Sequence, residues 1–292
     1  MRRSGIEEIR VESWEEANEA LYRGSWNKDI RRFRSDYVFR GLSCADWPLV
    51  TALSRLGGNY RELEAHLLRN FRKYARQSVP VVDSEWNWLA IAQHHGLSTR
   101  LMDWTYSPFV ALHFATECVE AFDTDGIVWC VNYVGVHKML PSKLRRLLDQ
   151  ERSNAFTVDM LAGAAANLRE LEALGHESFA LYFEPPSFDE RIVNQFALFS
   201  MMSDPDAQLG DWLEQHPDLV RRVIIPAPRK WEIRDKLDQG NITERVLFPG
   251  LDGLSCWLRR HYMPRAEATS EPAEMDPTDS NLCGFPEKRR VS

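Results

Sequence analysis

Gln93–Ala115 reads QHHGLSTRLMDWTYSPFVALHFA. Within eleven residues, Gln93 to Asp103, it carries two histidines, a glycine, a serine–threonine pair, an arginine and an aspartate. A core has no use for that mixture, because an unpaired buried polar group costs stability. A site that must bind and orient a ligand does need it. The stretch lies between two helix-like segments. Ser84 is placed to cap the first, which carries Trp88, Leu89 and Ala92 and ends near Gln93. Ser107-Pro108 opens the second, with serine as cap and proline at the first helical position, and the pattern runs to about Cys118.

Working outward, Ser13-Trp14-Glu15-Glu16 is a capping box that starts a helix. Tyr37-Val38-Phe39 reads as a strand that ends at Arg40-Gly41. Leu63, Leu67, Phe71 and Tyr74 recur at helical spacing and predict a helix over 59–76. Asp125-Gly126 marks a turn before a buried strand at 127–133. Residues 141–152 and 158–174 read as helices, 179–183 as a strand, and Val220–Ile225 as a strand stopped by Pro226-Ala227-Pro228. Short helices follow at 231–237 and 251–261. Strands separated by helices of varied length, without regular βαβ alternation, predict the α+β class. The expected architecture is a single mixed domain with a central, partly antiparallel sheet surrounded by helices, spanning 12–262. Residues 263–292 hold prolines and charges but few large apolar side chains, and are expected to form a disordered tail.

At 292 residues, 44% of them apolar and 27% charged, the chain can bury a large core. A net charge of −7 disfavours a broad nucleic-acid-coating role. No uninterrupted apolar run is long enough to span a bilayer, so no membrane partner is expected. The opening MRRSGIEEIR has no apolar region behind its arginines, unlike a signal peptide. Cys44, Cys118, Cys130, Cys256 and Cys283 are dispersed without CxxC spacing, which reads as reduced thiols in a cytoplasmic protein.

Three places together resemble the FRG-domain family of bacterial and phage proteins. Tyr37-Val38-Phe39-Arg40-Gly41-Leu42 is similar to the arginine–glycine motif that names it. Gln93 to Trp104 is similar to its glutamine–histidine–glycine–threonine–arginine–aspartate–tryptophan core, with Ser98 where the family often has proline and Met102 where it often has leucine. Arg191-Ile192-Val193-Asn194-Gln195 and Phe199, with residues 247–254 (LFPGLDGL) closing the domain, are the third. The resemblance covers roughly 12–262.

Arg40 at a strand end offers a planar fork for phosphate or carboxylate, and Gly41 beside it lets backbone approach a ligand. Arg100 supplies a second guanidinium, and two aimed at one cleft would suit a diphosphate. His94 and His95 are adjacent and point apart on a helix, so a shared metal is not expected. Either can bond a substrate hydroxyl or a backbone carbonyl. Ser98 and Thr99 can orient a ribose or phosphate, or bond their own turn. Asp103 pairs with Arg100 or caps the turn, and Trp104 is expected to anchor the motif in the core. Glu184 beside Pro185-Pro186, with Glu190 as its rival, is a rigidly placed carboxylate, and Gln195 can orient an amide. The order arginine, serine–threonine, glutamate resembles the arginine–serine–glutamate class of ADP-ribosyltransferases. That resemblance implies Arg40 on the NAD phosphates, Ser98 or Thr99 on the nicotinamide ribose and Glu184 or Glu190 on a ribose hydroxyl. From the residues themselves, His95 joins the catalytic candidates, and Gly41, Gln93, His94, Arg100, Asp103 and Gln195 are the candidates for binding the ligand. NAD is then a substrate, a nucleotide-like small molecule and a macromolecular acceptor are the partners, and no resident cofactor is called for. Toxin or phage-defence settings follow from family association. The alternatives are a non-enzymatic nucleotide or nucleic-acid sensor, and a metal-assisted hydrolase or nuclease built on His94, His95, Asp103 and His113. The transferase reading requires Arg40, Arg100 and the histidine-bearing turn to line one cavity.

Overall fold

The computed structural model describes residues 5–77 and 83–265. The expected tail therefore lies, from residue 266 onward, outside the described residues. Among the described residues ten strands form in chain order: β1 (Glu7–Arg10), β2 (Trp26–Asn27), β3 (Arg32–Phe33), β4 (Tyr37–Leu42), β5 (Met102–Thr105), β6 (Gly126–Asn132), β7 (Phe156–Thr157), β8 (Ala180–Glu184), β9 (Ala197–Met202) and β10 (Val220–Ile225). β2 and β3 make a separate hairpin; the other eight form one sheet in the order β1-β10-β6-β4-β5-β9-β8-β7. The interior pairs are antiparallel, and only the outermost pairs, β1–β10 and β7–β8, are parallel. This is a mixed α+β architecture with a largely antiparallel sheet and helices around it.

Strand alternation sorts the core by face. Val38, Met102, Trp104, Trp129, Val131, Tyr182 and Leu198 point to one side, here called the first face, and form one cluster. The second face carries two clusters. Phe39, Val128, Cys130 and Val223 pack against the helices Trp14–Tyr22, Pro108–Ala115 and Lys230–Gln239. Leu181, Phe183, Phe199 and Met201 pack against Glu85–His94, Ser142–Glu151 and Val158–Ala164. The two clusters meet beneath β5, whose second-face side chains are the polar Asp103 and Thr105.

Capping chemistry sets the helix ends as the sequence predicts. The hydroxyls of Ser13, Ser84 and Ser107 accept from the backbone N–H groups of Glu16, Asn87 and Val110. The helix opened by Pro108 stops at Ala115, short of Cys118, where the Thr116 hydroxyl bonds the Leu112 and His113 carbonyls. The helix expected over 158–174 is two, Val158–Ala164 and Leu168–Glu172. Ala165 is extended, and Asn167 caps the second by accepting from Glu170 N–H. The sequence predicts no strand at β1, β2, β3, β5, β7 or β9; β5 in particular runs through the middle of the polar motif, which the sequence suggests is a turn between helices. No helix among the described residues is long and apolar enough to cross a membrane.

The last helix, Leu251–Tyr262, is tied down by charge. Arg260 donates two bonds to Glu244 and two to Asp238, all at 2.6–2.8 Å and largely buried.

Candidate functional site

Arg40 is not at a strand end, because β4 continues to Leu42. Nor does Gly41 make room for a ligand. A Cβ at Gly41 would lie 1.9 Å from the Ala111 carbonyl oxygen, so the close approach there is by the helix Pro108–Ala115. Gly41 faces that helix on the second face, which puts Arg40 on the first.

Around Arg40 the sheet forks. β4 keeps six residue pairs with β6, but meets β5 at a single pair, Phe39–Thr105. Where the ladder would continue, the Arg40 Nη1 donates instead to the Asp103 carbonyl at 2.6 Å. Its Nε–H is buried with no hydrogen-bond partner. No carboxylate among the described residues pairs with it, and the side chain is only half-buried. Such a guanidinium is electrostatically unsatisfied, since a buried donor left unbonded costs free energy that an anion would recover.

Registers place Arg40 in a row across the first face. Arg40 is opposite Trp129, and Trp129 is opposite Arg222, which is opposite Glu8. On the other side, continuing the Phe39–Thr105 pair by one residue sets Arg40 beside Trp104. Trp104 is opposite Leu198, and the β8–β9 register extended by one residue brings Glu184 beside Leu198. With paired strands about 4.8 Å apart and the sheet forked between β4 and β5, the Arg40 and Glu184 backbones stand at least roughly 14 Å apart. Glu184 is exposed, and its Oε1 accepts from the Tyr106 hydroxyl at 3.0 Å. Burial, with Tyr133 and Glu184 close by, pushes the Tyr106 phenol well above its ordinary range, so it remains a protonated donor. Rings link the two ends of the row: Trp104 meets Tyr182 at 5.7 Å, Tyr182 meets Tyr133 at 6.2 Å and Tyr133 meets Tyr106 at 5.8 Å. Trp104 is buried as expected, its indole N–H donating to the Ser200 hydroxyl at 2.7 Å.

The polar side chains of the long motif turn to the second face. Thr99 accepts from Leu101 N–H at 3.1 Å and donates to Gln93 Oε1 at 2.6 Å, and Gln93 Nε2 donates to Asp103 Oδ2 at 2.9 Å. This chain fills the seam between the two second-face clusters. Asp103 therefore pairs with Gln93, not Arg100. Arg100 is sealed against Glu64, donating from Nε at 2.7 Å and from its backbone N–H at 3.0 Å, with Nη1 on the Ser203 carbonyl. The two arginines of the sequence motifs do not share a cleft: one is closed in an ion pair and the other is open without one. His94 bonds Asp189 through Nε2 at 2.6 Å. His95 is exposed at the end of the helix Glu85–His94, where partial burial and neighbouring His94 lower its pKa. Ser98 is half-buried at the same turn. His113 is fully buried against Arg234, 2.8 Å from Nδ1, so the histidines and Asp103 are dispersed and form no common set. The Gln195 side chain donates to the Leu247 carbonyl at 3.0 Å and fastens the 243–248 segment. Glu190 begins the short helix Glu190–Asn194, which Asp189 caps.

A groove of about 690 Å³ opens elsewhere, between the helices Tyr60–Ala75, Glu85–His94 and Leu168–Glu172. Many of its cations are already neutralised: Arg61 by Glu172 and Asp204, Arg72 and Arg76 by Asp83, and Arg100 by Glu64. Arg69, Lys73 and Arg169 also line it, with no carboxylate paired to them among the described residues, so unpaired cations occur here as well as in the Arg40 row.

Trp129, Arg222, Tyr106 and Tyr133 were not singled out by sequence reasoning. Arg222 alone left a trace, as one of two adjacent arginines, Arg221 and Arg222, in the otherwise apolar Val220–Ile225.

The family model of the FRG domain matches residues 35–124. The chain carries an FRG domain. No curated protein and no solved structure matches the chain. The matched residues contain β4 with Arg40, the Gln93–Trp104 motif and the helix packed on Gly41. Glu184, Gln195 and Arg222 lie beyond the match.

Proposed function

We propose that this protein binds a phosphate-bearing, nucleotide-like ligand on the first face of the sheet, with Arg40 as the anchor for its anion and 12–262 as the functional unit. One observation carries the reading: the half-buried Arg40 guanidinium has no carboxylate counter-ion and one buried N–H without a partner. A phosphate oxygen supplies both the charge and the acceptor. A hydrogen bond to a charged group contributes about 1.5–3 kcal/mol, which corresponds to roughly ten- to a hundredfold in affinity. Calorimetric titration of ADP-ribose tests it: the wild type binds, and Arg40→Gln loses at least tenfold while staying folded. Equal binding by the variant would remove Arg40 from the site.

Arg40, Arg100 and the histidine-bearing turn do not line one cavity, so the finer reading, ADP-ribosyl transfer from NAD, rests on Arg40 and Glu184 alone, with a cytoplasmic toxin or phage-defence setting carried over only from the family resemblance. Glu184 shares the first face and the cross-strand row with Arg40, and the Tyr106 phenol holds its carboxylate. In that reaction the bond from the ribose C1′ to the nicotinamide nitrogen breaks and the electron pair leaves with neutral nicotinamide. An acceptor nucleophile then bonds C1′ and gives up its proton. A carboxylate that accepts from a ribose hydroxyl stabilises the positive charge developing at C1′. Ser98, Thr99 and His95 take no part in this arrangement, because they belong to the helix end and seam of the second face. Nicotinamide release from NAD is the assay. Release that Glu184→Gln abolishes, with NAD binding retained, supports transfer, whereas binding without release leaves a sensor.

A further inference from the structure

We infer that the anion site extends from Arg40 across Trp129 to Arg222 and takes a diphosphate rather than a single phosphate. This rests on the Arg40 reading and names the ligand class for that site. Arg40, Trp129 and Arg222 stand side by side on three neighbouring strands and point to the same face. Each carries a buried N–H with no partner: Nε of Arg40, Nε1 of Trp129 and Nε of Arg222. Trp129 is only 6% exposed, so its indole N–H has no recourse to bulk water. Three unbonded donors in one row form an unusual group, since buried polar groups are nearly always paired. The Arg222 guanidinium lies 5.3 Å from the centre of the Trp129 ring, close enough for a cation–π contact that holds it over the row. The two arginine backbones are roughly 10 Å apart, two strand spacings; the Arg222 side chain leans on the indole between them, while Arg40 Nη1 reaches to the Asp103 carbonyl on the other side. A bridging diphosphate presents oxygens to both guanidinium groups; a lone phosphate reaches only one arginine. Arg222 also has a competitor. Glu8 on β1 lies 3.3 Å from its Nη2, and that carboxylate is largely exposed. A diphosphate would displace only this exposed carboxylate, from an arginine that is itself largely buried.

Inorganic phosphate and pyrophosphate test the inference without requiring knowledge of the rest of the ligand. Titrated into the full chain, pyrophosphate is expected to bind at least tenfold more tightly than phosphate. Arg222→Gln should abolish that preference while leaving phosphate binding intact, and Glu8→Gln should strengthen pyrophosphate binding severalfold by releasing Arg222. Thermal melts of both variants verify folding. Equal affinity for the two anions, or a preference untouched in a folded Arg222→Gln protein, would overturn the diphosphate inference and leave Arg40 as a single-phosphate anchor. Failure of both anions to bind the wild type would overturn the Arg40 reading and this one with it.

Discussion

At the scale of single residues, partnership separates the two motif arginines. Arg100 and Glu64 are both nearly buried and bonded to each other, so removing one leaves a stranded charge. Arg100→Ala is expected to destabilise by about 3–5 kcal/mol, read as a fall in the denaturation midpoint. Arg40→Gln should behave differently. It gives up one bond to a backbone carbonyl, worth about 1 kcal/mol, and also removes an unpaired half-buried charge. The melting temperature should therefore move by a few degrees at most while anion binding is lost. Trp104→Ala belongs with Arg100: emptying that buried ring and unpairing Ser200 should cost about 3–5 kcal/mol, and a folded but inactive protein would show that the indole contacts ligand instead.

At the scale of elements, Gly41 is the most sensitive position in β4. The helix Pro108–Ala115 lies directly on it, and the first atom met by an added methyl is a backbone carbonyl that cannot rotate away. Gly41→Ala is expected to lower the thermal midpoint substantially or prevent folding, because the helix must lift off the sheet. A variant with wild-type stability would mean that the packing is looser than described. The strand and helix around this contact were readable from caps and apolar spacing: Ser84, Ser107-Pro108 and Tyr37-Val38-Phe39 all announce what they become. β5 was not. It is four residues long, and its alternation of Met102 and Trp104 against Asp103 and Thr105 looks like a polar turn until the seam that receives the polar half is seen. The family glycine signalled close approach without saying by what. The row Arg222–Trp129–Arg40 could not be read at all, since it depends on registers between strands more than eighty residues apart in the chain.

At the scale of the whole molecule, buried histidines tie stability to pH. His137 is fixed as a neutral ring, with Nδ1 2.8 Å from the Asn154 carbonyl and Nε2 accepting from Tyr182 N–H at 2.9 Å. Burial lowers its pKa to about 4, and burial and Arg234 push His113 in the same direction. In the unfolded chain a histidine titrates near ~6.5, so between these values the unfolded state holds more protons and gains relative to the native one. Stability is then full above about pH 6.5 and falls as the pH drops toward 4, by about 3 kcal/mol for His137. Urea midpoints at several pH values across this window should decline steadily; a flat profile would mean that the ring is not locked neutral in the fold.

The same two-faced sheet divides the candidate residues. Arg40 and Glu184 occupy the first face, while His95, Ser98 and the Gln93–Asp103 seam serve the second and its helices. Calorimetric titration of ADP-ribose into the wild type, Arg40→Gln and the double variant His95→Ala/Ser98→Ala tests this division most directly. The account predicts at least a tenfold loss of affinity for Arg40→Gln and none for the double variant. Wild-type affinity in Arg40→Gln, or a comparable loss in the double variant, would contradict it.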